Sequence, residues 1–286
     1  MTLLAWKNSG QHFDFQGESI FYQSKGSGET LVLLHGFPTS SWDWEKIWNP
    51  LSEKYHVLAP DLLGFGFSDK PKNHTYAINQ QADLVETLLN LKGIQSYHLL
   101  VHNYSVSVGQ ELMARLIGNS ENNPKILSIA FLNGGLFPSQ HRPLLIQKLL
   151  KSPIGFIIAR LNSKKMLKNS FDKIFGVQKA SEEEINDFWT CIVHQDGNLI
   201  LHKLIGYIQN RIDNKERWEN ALIAFKSPQI LINGPLDPIS GQHLANYYTK
   251  KVPNANVVLL EGVGHYPQTE APEALLKAYF NFRNSI

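Results

Sequence analysis

The chain is nearly free of cysteine and of excess charge, and both scarcities narrow what it can be. A single cysteine, Cys191, among 286 residues excludes an internal disulfide framework and fits a reducing compartment. Twenty-seven Lys and Arg against 25 Asp and Glu leave a net charge of +2, which gives no reason to expect a nucleic acid or an acidic membrane as partner. No apolar run reaches the length that spans a bilayer, and residues 1–15 lack the charged-then-apolar layout of a secretory signal. A cytoplasmic location is the expectation. Eleven histidines are present, but no pair has the i, i+4 spacing on a helix that zinc sites commonly use, so no metal or other cofactor is expected. Internal repeats and low-complexity segments are absent, and no pattern specifies an oligomeric state. What remains is apolar material: 43% hydrophobic and 11% aromatic residues suffice for one large core, or for a core carrying a sizeable insertion.

The periodicity alternates short β-rich runs with amphipathic helical stretches, the pattern of a mostly parallel sheet covered on both faces. Strands are predicted at 19–23, 30–34, 56–59, 97–101, 126–132, 229–232 and 256–260. Helices are predicted at 42–51, 78–91, 104–116, 240–250 and 272–283. The stretch from about 137 to 226 lacks convincing strands and reads as several helices, so the core divides into 1–136 and 227–286 around a helical cap at 137–226. Within the cap, Ser181-Glu182-Glu183-Glu184 fits a capping box ahead of Ile185, Phe188, Trp189 and Ile192 at helical spacing. The lysines at 164, 165, 168, 173 and 179 read as a solvated helical face.

Chemistry concentrates at strand ends. After the apolar run 97–101 comes His102-Asn103-Tyr104-Ser105, a strand-to-helix turn that would hold a nucleophile at a helix N-terminus. Asn103 occupies the nucleophile position with the shape of an aspartate and none of its charge. Val101 and Ser105 stand where glycines are usual, two residues either side. A rival nucleophile, Ser107, falls about one turn into the helix, where its hydroxyl should bond the preceding turn or face solvent. The buried run 31–34 leads into His35-Gly36-Phe37-Pro38, which offers the backbone N–H of Phe37, with that of Tyr104, as an oxyanion site. His35 itself suits bracing of that loop. Asp237 follows one strand as the acid and His265 follows another as the base, giving the chain order nucleophile, acid, histidine. Gly64-Phe65-Gly66-Phe67 has no third glycine at the needed offset and no helix after it, so it reads as a turn rather than a nucleotide loop.

With these motifs the chain resembles the α/β-hydrolase superfamily over nearly its whole length, in particular the aspartate-nucleophile branch of epoxide hydrolases and haloalkane dehalogenases. The elbow at 102–105 and the His35-Gly36-Phe37-Pro38 loop carry that resemblance. The stretches Asn133-Gly134-Gly135-Leu136-Phe137-Pro138, His141-Arg142-Pro143 and Gly234-Pro235-Leu236-Asp237-Pro238 look most like the mesoderm-specific-transcript-like hydrolases. The resemblance implies an eight-stranded, mostly parallel sheet with helices on both faces and a helical cap insertion. It also implies a small to medium apolar substrate, attacked at carbon to give an ester that water, activated by the histidine, then hydrolyses.

Departures from the branch pattern separate the relatives. Dehalogenases commonly bind halide through a donor side chain after the His-Gly pair and a tryptophan after the nucleophile; Phe37 and Tyr104 stand there, which favours epoxide-hydrolase-like chemistry. The resemblance makes Tyr207, on a helical stretch at 198–211, the cap residue to protonate an opening oxygen, with a core-packing role as its other reading. Phe156, Phe171, Phe175, Phe188, Trp189 and Trp218 would give the lid an apolar inner face. For Asn103 three readings stand: conversion to aspartate by His265-directed water, a silent ligand-binding pseudoenzyme, or a nucleophile-disabled variant of an active hydrolase.

Overall fold

The computed structural model describes residues 1–118 and 123–286. Eight strands form one sheet in the order β1-β2-β4-β3-β5-β6-β7-β8. In chain order they are β1 (Gln11–Phe15), β2 (Glu18–Lys25), β3 (Thr30–Leu34), β4 (His56–Pro60), β5 (Ser96–Val101), β6 (Lys125–Phe131), β7 (Gln229–Asn233) and β8 (Val257–Leu259). β1 pairs antiparallel with β2 and β2 with β4; every other pairing is parallel. The interior strands are apolar on both faces because helices cover both: all of β3 is buried, and so is β5 after its first residue.

Register sets what lies beside what. Leu34 of β3 is level with Val101 of β5, Val101 with Phe131 of β6, Phe131 with Leu231 of β7, and Asn233 with Leu259 of β8. The loops at 35–38, 102–104, 132–137, 234–240 and 261–266 therefore emerge together at the carboxyl edge, where ligand sites of open parallel sheets collect.

Seven of the eight strands fall where the apolar runs predict them. β1 was not foreseen, because only Phe13 and Phe15 of its five residues are buried and a half-polar edge strand leaves a weak pattern. It turns into β2 through Gln16 and Gly17, both at positive φ (57° and 89°), with Gly17 N–H donating to Asp14 Oδ1 at 3.3 Å. The predicted helix at 42–51 is a 3-10 turn (Ser41–Trp44) followed by an α-helix (Glu45–Ser52). The segment 64–67 is turns, with Gly64 and Gly66 at positive φ.

Between 137 and 226 the chain is helical, with α-helices from Leu145–Lys151 to Lys215–Ala224 and no strand. The stretch 198–211, expected to be one helix, is broken: a 3-10 segment (His194–Ile200) enters it through Gln195 and Asp196 at positive φ, and short helices Leu201–Leu204 and Tyr207–Asp213 follow. Phe171, Phe175 and Phe188 gather on the Tyr266 ring at 5.1, 5.3 and 6.2 Å. Phe156, expected to face inward, is 57% exposed, and Trp218 instead donates its indole N–H to Glu111 Oε2 at 2.8 Å on the core helix Ser105–Gly118.

The capping box forms as its spacing requires. Glu184 N–H donates to Ser181 Oγ at 3.2 Å, Ser181 N–H donates to Glu184 Oε2 at 2.7 Å, and the other oxygen of Glu184 pairs with Lys46 of the core. Ser181→Ala should cost about 1 kcal/mol. Thermal denaturation should then show a midpoint lower by about 2 °C, and an unchanged midpoint would show that the cap residue contributes nothing there.

Candidate active site

The turn after β5 is sharp. Asn103 has φ 50°, a left-handed conformation that Asn tolerates better than most residues with a Cβ, and its N–H donates to Asn133 O at 2.8 Å. The two residues that depart from the usual glycines are both accommodated. Val101 packs over Gly109 of the following helix, whose absent Cβ would lie 3.5 Å from both Val101 methyls. Ser105 uses its hydroxyl to donate to His35 O, tying the elbow to the loop after β3. That loop is braced in turn by His35, whose Nδ1–H donates to Gly36 O at 2.9 Å and whose Nε2 accepts from Leu62 N–H at 3.1 Å.

These loops deliver three side chains in series. Asn103, 5% exposed, accepts the Phe37 N–H on Oδ1 at 3.1 Å and donates its amide Nδ2–H to His265 Nε2. His265 donates Nδ1–H to Asp237 Oδ2 at 2.6 Å, so the ring is in the tautomer with Nε2 free to accept. Asp237 is thoroughly solvated by protein: Oδ2 also accepts from Ser240 Oγ at 2.6 Å, Ser240 N–H at 3.0 Å and Asn133 Nδ2 at 3.1 Å, and Oδ1 accepts from Ile239 N–H at 2.8 Å. Burial alone would raise its pKa, but the charge and hydrogen bond of His265, with the bonds from Ser240 and Ile239, outweigh burial and hold it at about 2.

Several residues that shape the site were given no role by the sequence: Asn133 and His102 stand inside motifs already noted, whereas Glu270 and Arg211 gave no signal. Asn133 links Asp237 to the loop after β7, accepting from Gly234 N–H at 2.7 Å. His102 donates Nε2–H to the carbonyl of His265 at 2.7 Å and accepts from Gln268 at 3.1 Å. Glu270 accepts from the N–H groups of Gly264 and Gly176 at 2.7 Å each and of Tyr266 at 2.8 Å, which joins the histidine loop to the helical segment. Arg211, fully enclosed, donates Nη2–H to Asn103 O at 2.7 Å and Nε–H to Ser107 Oγ at 2.6 Å. Ser107 is thus buried and held by the guanidinium, rather than bonded to its own turn or exposed.

The other expected positions are placed as follows. Tyr104 is buried, and its N–H makes no hydrogen bond to Asn103 Oδ1. The Tyr207 ring lies 5.0 Å from Tyr104 and 5.9 Å from Phe37, and its hydroxyl accepts from Gln147 Nε2 at 3.5 Å. A cavity of about 70 Å³ abuts Asn103 and His265, walled by Phe37, Leu144, Met166, Phe171 and Ile239; Gln147 borders it and Tyr207 does not. Among the described residues, no three His, Cys, Asp or Glu side chains group as metal ligands, and no helix is long and apolar enough to cross a membrane.

The depressed pKa of Asp237 links the site to stability. An unfolded aspartate titrates near 3.9, so the carboxylate stabilises the fold fully above about pH 4, and that contribution fades as pH falls toward about 2. Acid unfolding of the protein should therefore steepen across this window, and Asp237→Asn should flatten it; an identical acid limb in both proteins would contradict the linkage.

Comparison with known proteins agrees with this architecture. The description of the alpha/beta hydrolase fold family matches residues 29–272. The mesoderm-specific transcript homolog protein of Bos taurus is 44% identical over 297 residues, covering 100% of this chain and 89% of that protein. Among solved structures, the haloalkane dehalogenase DbeA-M1 loop variant from Bradyrhizobium elkanii superposes with a TM-score of 0.80 at 22% identity, covering 97% of this chain and 98% of that one. The epoxide hydrolase CorEH superposes with a TM-score of 0.76 at 21% identity, covering 96% and 98%. These two structures speak for the fold. With the family match spanning most of the chain, the protein belongs to the α/β-hydrolase fold family and is a hydrolase of that fold.

Proposed function

We propose that the protein hydrolyses a small to medium apolar substrate by nucleophile-histidine-acid chemistry, in a manner closer to epoxide hydrolases than to dehalogenases. In this reading, residues 1–136 and 227–286 form the catalytic core and 137–226 the cap. Position 103 supplies the nucleophile, His265 the base and Asp237 the acid, with the N–H groups of Phe37 and Tyr104 facing developing negative charge. The observation that carries the reading is the unbroken line from Asn103 through His265 to Asp237, with Phe37 N–H on the far side of the carboxamide. The apolar wall of the adjoining cavity supports the substrate class. Phe37 and Tyr104 offer a halide no side-chain donor of the usual kind, which weighs against dehalogenation.

As written, the amide oxygen of Asn103 is a poor nucleophile, and loss of a triad member costs on the order of 10⁴ to 10⁶ in turnover. The same geometry suits repair of the residue. Phe37 N–H polarises Oδ1, and His265 Nε2 stands at Nδ2, so a water that gives a proton to His265 can add to Cγ. The tetrahedral oxyanion then collapses, the Cγ–Nδ2 bond breaks, and His265 passes the proton to the departing nitrogen. Ammonia takes up the proton of the new carboxyl group and leaves as ammonium, and the carboxylate of an aspartate remains. This sequence consumes one water and needs no oxidant or cofactor.

A second reading, a silent ligand-binding protein, rests on a separate observation: the carboxamide satisfies Phe37 N–H and His265 Nε2 together, leaving the resting site without an unpaired group at either. Aged protein should show the small mass gain of deamidation at residue 103, abolished by His265→Gln. Asn103→Asp should turn over an epoxide in a screen that includes haloalkanes and esters. Turnover by the Asp form without any mass gain would retain the hydrolase and remove the repair; no turnover by either form would overturn the hydrolase reading.

Tyr207 stands behind Gln147 and outside the cavity wall, so its hydroxyl reaches an opening oxygen only where the Gln147 amide gives way. In the Asn103→Asp background, Tyr207→Phe should lower kcat for epoxides by about 10²-fold and leave ester turnover unchanged. Equal turnover of both substrates would make Tyr207 a packing aromatic.

A further inference from the structure

A cavity roomier than the one beside Asn103 lies nearby. A cavity of about 500 Å³ opens between the segment after β6 and the helices Leu145–Lys151 and Tyr207–Asp213, and Gln147 borders both spaces. Its lining includes His141, Lys148, Lys151 and Arg211, and no aspartate or glutamate. Pro138, Ile208 and Ile212 give it an apolar wall.

Two of the basic side chains lack the partners that burial ordinarily demands. Arg211 is 3% exposed yet pairs with no carboxylate among the described residues; its guanidinium lies 4.5 Å over the Tyr207 ring and bonds only a hydroxyl and a carbonyl. Burial pushes its pKa down, as expected for a cation without a counter-ion. Nε and Nη2 are engaged, whereas Nη1 makes no hydrogen bond among the described residues. His141 has both ring nitrogens shut off from solvent and without a partner. The two groups meet at one notch. A Cβ on Gly135 would fall 2.3 Å from Arg211 Nη1 and 3.1 Å from His141 Nδ1, so only glycine leaves this space between them. The two nitrogens are thus close enough to share one ligand oxygen at ordinary hydrogen-bond distances.

We propose that this cavity binds an amphiphilic carboxylate, with the anionic head on Arg211 and His141 and the alkyl chain along Pro138, Ile208 and Ile212. A carboxylate supplies the charge that Arg211 lacks and the acceptor that His141 lacks, in the planar geometry that a guanidinium recognises. The exposed Lys148 and Lys151 add positive charge at the mouth, although Lys151 also donates to Gln209 Oε1 at 3.0 Å. The volume falls within the usual range for a ligand of this size. Because Arg211 also holds the carbonyl of Asn103, an occupant would be felt at the elbow. The proposal does not depend on which residue does chemistry at 103.

Isothermal titration of the intact protein with octanoate, 1-octanol and acetate tests it. Octanoate should bind with one site per chain and at least about tenfold more tightly than either control, the size of effect expected for a charge-assisted bond in a buried setting. His141→Leu and Arg211→Gln should each weaken octanoate by about tenfold while leaving octanol unchanged. Should Arg211→Gln fail to fold, His141→Leu and the two control ligands still decide. Equal binding of octanoate and octanol, or full octanoate affinity in His141→Leu, would overturn the anionic site. Acetate binding as tightly as octanoate would overturn the amphiphile, and absence of octanoate binding would overturn the whole proposal.

Discussion

The structure turns on one carboxamide that must satisfy two opposed neighbours. Asn103 gives a hydrogen bond to His265 and takes one from Phe37, and these two contacts lock the loop after β3, the elbow after β5 and the loop after β8 into one arrangement. An aspartate there could accept from Phe37 but could pair with His265 Nε2 only if the imidazole carried a second proton. The amide removes that requirement. It stabilises the resting geometry through neutral hydrogen bonds at the expense of the negative charge that would attack a carbon atom.

Much of the fold was legible because the interior strands are apolar on both faces. The runs at 30–34 and 97–101 declare themselves without help from neighbours, and the parallel register then brings Asn103, Asp237 and His265 to one edge. β1 was not legible, since an edge strand with two buried residues leaves little pattern. Helix breaks at Gln195 and Asp196 escaped for a different reason: both sit at positive φ, and neither residue type demands it.

The site was readable only where chain order carries information. A nucleophile position, an acid and a histidine at successive strand ends form a sequence signature. Glu270 and Arg211 do not, because the groups they join to the site, Gly176 N–H for Glu270 and Asn103 O for Arg211, lie far away in the chain, and no local spacing records that meeting. Tyr207 lies between these cases. Its place on a helical stretch was visible, but whether its hydroxyl meets the cavity or stands behind Gln147 depends on how the helices cross.

Glu270 has a consequence for how the helical segment can move. One carboxylate holds Gly176 from that segment together with Gly264 and Tyr266 from the histidine loop, while His265 N–H donates to Ile174 O. Lifting residues 174–176 would strip two buried hydrogen bonds, Gly176 N–H to Glu270 and His265 N–H to Ile174 O, and displace His265 itself. That flank behaves as a fixed hinge post. Opening to admit a ligand falls instead to the other flank, the helices Leu145–Lys151 and Gly155–Leu161 with Ile154 between them, which carries exposed Leu145, Ile154, Phe156 and Leu161 and, among the described residues, no comparable tie to the histidine loop.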